Sequence, residues 1–550
     1  MTNKKRFDGW SVIQIILLVL FLGVLVYPLF GIIKQAVVME DGSISMQEFA
    51  KFFSESYYFA TITNSFKSTL LVTALCLVLG ILFAYFYSFY KLKGARILFV
   101  VSILCCMSAP FLGAYSWVML LGRSGVITKF VKAAFGIKLP SIYGFGGIVF
   151  TQVLKFFPLV FIYMNGAFSN IDNTLMEASA NMGCTGAKRL VRIVLHLSMP
   201  TILAAALMVF MQAFADFGTP SVLGEGFKTF PVLLYNEYLG ETGSNYNFAA
   251  ALSIIAVVVT AIVFFFQKWA TDRFRFTINA LHPVEKKKPQ GIQGFFMYLY
   301  SYLLCAIAIL PQLYIIYLSF RNCKGAVWRP GYSLDNYRQA IKKKLFMAAT
   351  NTVIMGVIAL LLIIIIAVIL AYLVVRRAGV TSHTLDTLAM LPYIMPGAVI
   401  GISLLIAFGA KPFALTGTMT ILIMSFVIRR MPYTIRSATA TLMQIPMSID
   451  EAAISLGASK AKTFIQITVP MMSGGVISGA ILSWVAIVTE LSSSVILYSN
   501  KTATLTMQAY IYIGRGEYGT AAAFAAILTM ITIVSLVIYI VVSKSEDVTL

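Results

Sequence analysis

The chain of 550 residues is 59% hydrophobic and 11% charged, with a mean hydropathy of +0.87 and a formal net charge of +21. That composition excludes an ordinary soluble domain and points to a protein that crosses a membrane many times. In that setting the positive excess belongs to loops that gather Lys and Arg on the cytoplasmic side, and no nucleic-acid partner is expected.

Twelve apolar stretches long enough to span a bilayer are expected, near 11–33, 65–89, 97–121, 146–168, 201–223, 249–267, 295–319, 351–375, 385–409, 414–431, 473–497 and 521–543. The first follows MTNKKR. It is too long for a secretory signal and lacks a small-residue cleavage site, so it is read as a retained helix. An even number of crossings with a basic start puts both termini in the cytoplasm. YKLKGAR (90–96), KRLVR (188–192), the stretch from Lys268 through EKKKP, and the arginine pairs at 376–377 and 429–430 would join them there. The basic segments 122–145 and 320–349 fall on the other side. Six cysteines show no CxxC or Cys/His spacing, which reads as packing residues without a metal cluster or disulfide frame.

The chain contains one half written twice. A shift of 274 residues matches Pro158 with Pro432, Glu177 with Glu451, Ala178 with Ala452, Gly183 with Gly457, Ala187 with Ala461, Lys188 with Lys462 and Ile193 with Ile467. A shift of 287 matches Asn64 with Asn351 and Ala84-Tyr85 with Ala371-Tyr372. The expected fold is therefore an all-α polytopic membrane protein of about twelve transmembrane helices, arranged as two parallel six-helix repeats. Residues 1–269 and 295–550 form the halves, and 270–294 a basic cytoplasmic linker. Parallel repeats place a transport path at their interface.

Within each half one polar segment interrupts the apolar pattern, MEASANMGCTGAKRLVRIVLH from Met176 and DEAAISLGASKAKTFIQITVP from Asp450. Thr174-x-x-Glu177 and Ser448-x-x-Glu451 fit a capping box. Gly183 and Gly457 stand where a left-handed residue would end two turns of helix. An apolar stretch then leads to Pro200 or Pro470 ahead of the next membrane helix, giving a helix–Gly–helix elbow at the cytoplasmic surface.

Glu-Ala-Ala, three residues, Gly, then an apolar stretch ending in Pro resembles the EAA loop of binding-protein-dependent ABC importer permeases. The second loop (446–474) carries it fully in Glu451, Ala452, Ala453, Gly457 and Pro470. The first (172–200) keeps Glu177, Ala178 and Gly183 but has Ser179 for the second Ala and His196 for the Pro. TNSFKSTLLVTALCLVLGILFAYF (63–86) and TNTVIMGVIALLLIIIIAVILAYLVVR (350–376) resemble the helix that opens that family's core. ADFGTPSVLGEGFKTFP (215–231) and TELSSSVILYSNKTATLT (489–506) are similar to its ferric-iron branch. The resemblance implies a permease subunit in the bacterial inner membrane, docked by two copies of a cytoplasmic ATPase and served by an external solute-binding protein. Ferric iron or an iron complex is its first cargo; thiamine, polyamines, phosphonates and sugar phosphates are alternatives. The basic outer loops fit docking of an acidic binding protein or screening of an anionic cargo.

No G-x-x-x-x-G-K-[ST] phosphate loop occurs, so ATP hydrolysis is expected in partner chains and no cofactor in this one. His196, His282 and His383 form no HExxH and no nucleophile–base pair, so no catalytic or metal residues are expected. A secondary transporter is the competing class, but it has no use for paired elbows. Finally, the shift of 274 pairs Asp216 in QAFADFGTP with Glu490 in AIVTELSSS. An ionised carboxylate inside an apolar run costs about 2.5–3.5 kcal/mol on insertion scales, so both are candidates for the path, as a ring of negative potential suited to a cation. The bland alternative is that each hydrogen-bonds nearby Ser, Thr or backbone and braces a kink.

Overall fold

A computed structural model describes residues 9–39, 41–106, 108–240, 245–273 and 286–543. MTNKKR, His282 and residues 274–285 of the 270–294 linker lie outside the described residues. The chain is mostly helical, with one departure from an all-α architecture: Arg321–Lys324 and Val327–Tyr332 pair as an antiparallel hairpin.

Among the described residues, eight helices are long and apolar enough to cross a membrane, or up to eleven if three sharply bent pairs each count as one crossing. The bent pairs are Ala95–Cys106 with Phe111–Phe135, Leu190–Leu197 with Met199–Phe214, and Val380–Ile394 with Gly397–Phe408, turning by 101°, 74° and 112°. With each bent pair taken as one crossing, eleven of the twelve expected stretches have a counterpart. The remaining one, expected at 414–431, is the helix Met419–Gln444, which is long enough but carries Arg429, Arg430 and Arg436. Those three charges keep it out of the apolar set.

The first helix of each half lies between the halves: Gly9–Val37 packs on Tyr246–Arg273 of its own half and Gly291–Ser319 on Tyr518–Ser543 of its own, and each also reaches across. Gly9–Val37 packs on the second half, where Trp10 sits 4.5 Å from Tyr372 and 5.0 Å from Phe464 between ring centroids and Gln14 donates to Ser382 Oγ at 3.0 Å. Gly291–Ser319 packs on the first half, where Tyr300 Oη donates to the Leu79 carbonyl (2.8 Å) and Gln312 Nε2 to the Leu104 carbonyl (3.0 Å). Because lipid is as apolar as the side chains, such interfaces are held by packing and interhelical hydrogen bonds. The end of the linker is also packed, since the Lys287 backbone exchanges hydrogen bonds with Phe89 and Lys91 at 2.9 Å.

One polar clamp recurs in both halves and explains the Asn64/Asn351 match. Asn64 Nδ2 donates to the Lys228 carbonyl (3.1 Å), and Asn351 Nδ2 to the Lys501 (2.9 Å) and Ala503 (3.1 Å) carbonyls. The next residue completes the clamp: Ser65 Oγ accepts the Phe230 N–H at 2.8 Å and Thr352 Oγ1 the Leu505 N–H at 2.9 Å. Each clamp satisfies the exposed start of the helix that follows the mid-bundle break, Phe230–Leu239 or Leu505–Gly514. In a membrane-buried bundle, irregular backbone of this kind persists only where protein supplies the partners.

Candidate functional site

The elbows form as two short helices, Asn173–Asn181 and Met447–Ser455, with matching C-terminal ends. Gly183 and Gly457 adopt φ of +73° and +89°, the left-handed conformation expected of them. In each copy the Gly N–H and the next N–H turn back onto the helix, Gly183 to Ala180 (2.9 Å) with Cys184 to Ser179 (2.8 Å), and Gly457 to Ile454 (3.0 Å) with Ala458 to Ala453 (3.1 Å). This is the Schellman closure. It pushes the preceding side chains outward: Met182 is 87% exposed and its equivalent Leu456 90%.

The capping boxes are not formed. Asp172, not Thr174, caps the first helix, its carboxylate accepting the Thr174 N–H at 2.9 Å, while Glu177 accepts from Asn173 Nδ2 at 2.7 Å. In the second elbow Pro446 occupies the cap, so Ser448 falls inside the helix and makes no capping bond. Glu177 and Glu451 are consequently exposed, as are Ala178 and Ala452, while Ser179 and Ala453 face inward. Ser179 substitutes for the small residue by returning its hydroxyl to the Met176 carbonyl at 2.7 Å.

The two elbows are anchored differently. Buried Asp450 accepts from Arg376 Nε (2.7 Å) and Thr468 Oγ1 (2.9 Å), and Arg376 also donates to the Ile445 carbonyl (2.8 Å). Its counterpart under the 274 shift is apolar, buried Met176. The chain beyond each elbow passes one wide turn, at Leu190–Val194 and Phe464–Thr468. After it the first copy bends at Ser198, whereas Lys460–Val488 runs on as a single span. Pro470 therefore sits at the start of Val469–Val488 without breaking the helix, the wide turn before it absorbing the missing N–H. His196 turns its Nδ1 to the Val191 carbonyl at 3.1 Å, a local contact at an exposed position.

Asp216 and Glu490 stand just beyond the ends of Met199–Phe214 and Val469–Val488, where the chain breaks before the short helices Gly218–Leu223 and Ser494–Leu497. Each does brace the break: Asp216 Oδ1 accepts the Thr219 N–H (3.3 Å) and Glu490 Oε1 the Ser493 N–H (3.2 Å). Both also line one cavity of about 290 Å³ between the halves, together with Lys155, Arg429 and Arg430. Bracing and lining thus coincide.

The arginine pair at 429–430 is not at a cytoplasmic surface. Arg429 and Arg430 each form an ion pair with Glu490, whose side chain is 1% exposed. Lys155 and Arg429 lie about 15 Å along their helices, Phe145–Ser169 and Met419–Gln444, at about 1.5 Å per residue. Both precede by three residues the matched prolines Pro158 and Pro432, and the shift of 274 equates them, a signal present in the sequence but not drawn from it. Asp216 accepts a further bond from Gln152 Nε2 at 3.1 Å. The expected ring of negative potential is therefore corrected: two carboxylates face three cations in this lining. Gly397, which opens Gly397–Phe408 after the 112° bend, makes room for the triad, since a Cβ there would lie 2.3 Å from Arg429 Nη1.

A family model described as a binding-protein-dependent transport system inner membrane component matches residues 76–276 and again 364–545. Among similar chains, the ferric transport system permease protein FbpB of Actinobacillus pleuropneumoniae is 29% identical over 96% of this chain and 77% of its own. The putative ferric transport system permease protein FbpB 1 of Haemophilus influenzae is also 29% identical, over 90% and 78%. The putative 2-aminoethylphosphonate transport system permease protein PhnU of Salmonella typhimurium is 22% identical over 45% of this chain and 87% of its own. A solved bacterial ABC transporter involved in import of the acidic polysaccharide alginate overlays 48% of this chain and 96% of its own, with 19% identity and a TM-score of 0.41.

Adding one methyl group tests the packing around the triad. Gly397→Ala is expected to displace the Arg429 guanidinium and lower stability by about 1–3 kcal/mol, the scale of overpacking in a filled core. Thermal unfolding of the purified protein reads it, and an unchanged midpoint would contradict the close approach.

Proposed function

The chain belongs to the family of binding-protein-dependent transport system inner membrane components, and from that premise we propose that it forms the membrane path of an ABC importer. A solute delivered by an external binding protein crosses between the halves, driven by two copies of a separate cytoplasmic ATPase. The observation that carries this reading is the pair of equivalent elbows, closed by the same Schellman geometry and each presenting an exposed glutamate and one outward apolar residue, Met182 or Leu456. In this reading twelve helices cross as two parallel six-helix halves, Met419–Gln444 being the crossing whose arginines serve the cavity. Both termini are cytoplasmic, the membrane is the bacterial inner membrane, and the chain is a transport subunit without a catalytic residue or cofactor.

For the cargo we propose ferric iron or an iron complex, supported by two relatives named for ferric transport that align along most of the chain. A phosphonate is the second reading, favoured by the relative named for 2-aminoethylphosphonate transport. Proteoliposomes holding permease, ATPase and binding protein are expected to take up radiolabelled ferric iron on ATP addition and to leave radiolabelled 2-aminoethylphosphonate outside; the reverse pattern would assign the second cargo.

Docking is tested at the glutamates, which the structure leaves exposed rather than engaged as caps. Glu177→Ala combined with Glu451→Ala is expected to weaken copurification of the ATPase about tenfold, the scale of a lost charge-assisted hydrogen bond. Membrane insertion should be normal. Undiminished ATPase binding would remove both residues from the interface.

A further inference from the structure

Arg430 breaks the repeat. The shift that equates Lys155 with Arg429 and Asp216 with Glu490 equates Arg430 with Phe156, so the inter-half cavity holds one more cation than carboxylates. Among the described residues, neither Arg430 nor Lys155 is fully satisfied. Arg430 spends a terminal nitrogen on Glu490, while its Nε is buried without a hydrogen-bond partner among the described residues. Lys155 Nζ lies 4.9 Å from the Phe156 ring centroid and makes no hydrogen bond or ion pair among the described residues. An excess cation inside a membrane-buried bundle is costly unless an anion joins it.

We propose that this cavity is an oxyanion subsite, in which a phosphate-, phosphonate- or carboxylate-type group accepts a hydrogen bond from Lys155 Nζ and balances the excess charge of Arg430. The inference rests on the transport reading and deepens it: the cargo crosses between the halves as an oxyanion-bearing species. A bare multivalent cation meets a wall of net positive charge, whereas a ferric ion held by an anionic chelator does not. The volume of about 290 Å³ accommodates such a group with water around it. Tyr433, whose hydroxyl accepts from Gln212 Nε2 across the halves at 3.1 Å, adds a polar edge to the same lining.

The test is equilibrium binding to the full chain in phosphatidylcholine nanodiscs, which lack anionic headgroups. The probes are radiolabelled inorganic phosphate, 2-aminoethylphosphonate and ferric citrate. Saturable binding of at least one probe is expected, weakened about tenfold by Lys155→Gln and restored by Lys155→Arg. Arg430→Gln, which leaves Glu490 its Arg429 partner and removes the excess charge, is expected to weaken binding similarly. It provides the second probe should Lys155→Gln fail to fold. Absence of saturable binding by all three probes, or binding indifferent to both substitutions, would overturn the subsite. Uptake separates this from the cargo assignment. Phosphonate uptake that requires Lys155 would sustain the subsite and reject iron, while iron uptake unchanged in Lys155→Gln would sustain iron and reject the subsite.

Discussion

A carboxylate at the centre of a membrane-buried bundle has to be neutralised, and the Glu490–Arg429–Arg430 triad is where this chain does so. The surrounding geometry follows from that need. Glu490 can be reached by both arginines only because Val469–Val488 ends just before it and the chain turns into Ser494–Leu497. The turn frees backbone N–H groups, and Glu490 accepts one of them from Ser493. Across the same space, Gly397 must lack a side chain for Arg429 to pass. A buried pair of this kind is not a large net source of stability, because desolvation offsets much of the Coulomb attraction. What it does is specify which helices meet and at what depth.

Around this point the halves are interlocked. Each first helix reaches the opposite half as well as its own, so the halves are tied together outside the cavity they line. The Asn-Ser and Asn-Thr clamps hold the helices that follow each break in the same way in both halves. Towards the elbows the symmetry weakens. Arg376 ties Asp450 to the end of Leu345–Arg376, a rigid polar link that the first half replaces with apolar burial of Met176. The second elbow is therefore hydrogen-bonded directly to a long apolar helix, while the chain after the first elbow bends at Ser198.

Much of this was legible in the amino-acid order, for physical reasons that differ from element to element. Long apolar stretches cannot be anything but spans, and paired Gly at fixed distance behind paired Glu is a local code for a helix end, so Gly183 and Gly457 were readable. The Asn64/Asn351 match was visible too, although not its meaning, because a clamp joins residues some 150 positions apart. The capping boxes misled because the cap is set by where the chain enters the helix: Asp172 takes it in the first elbow, and Pro446 stands there in the second without a side-chain bond. The arginine pair misled more seriously. Loop statistics assign adjacent arginines to a cytoplasmic surface, and only a buried carboxylate supplied by another helix overrides that assignment. Lys155, aligned with Arg429 by the same shift that aligned the carboxylates, was the overlooked clue.

The central claim, that Glu490 and the two arginines form one electrostatic unit inside the bundle, is tested most directly by comparing thermal unfolding of Glu490→Gln with that of the triple variant Glu490→Gln/Arg429→Met/Arg430→Met. Removing the carboxylate alone strands two guanidinium groups and is expected to cost about 3–5 kcal/mol. Removing all three charges leaves nothing stranded, so the triple variant should unfold at a higher temperature than the single one. A triple variant less stable than Glu490→Gln, with the losses simply adding, would contradict the account.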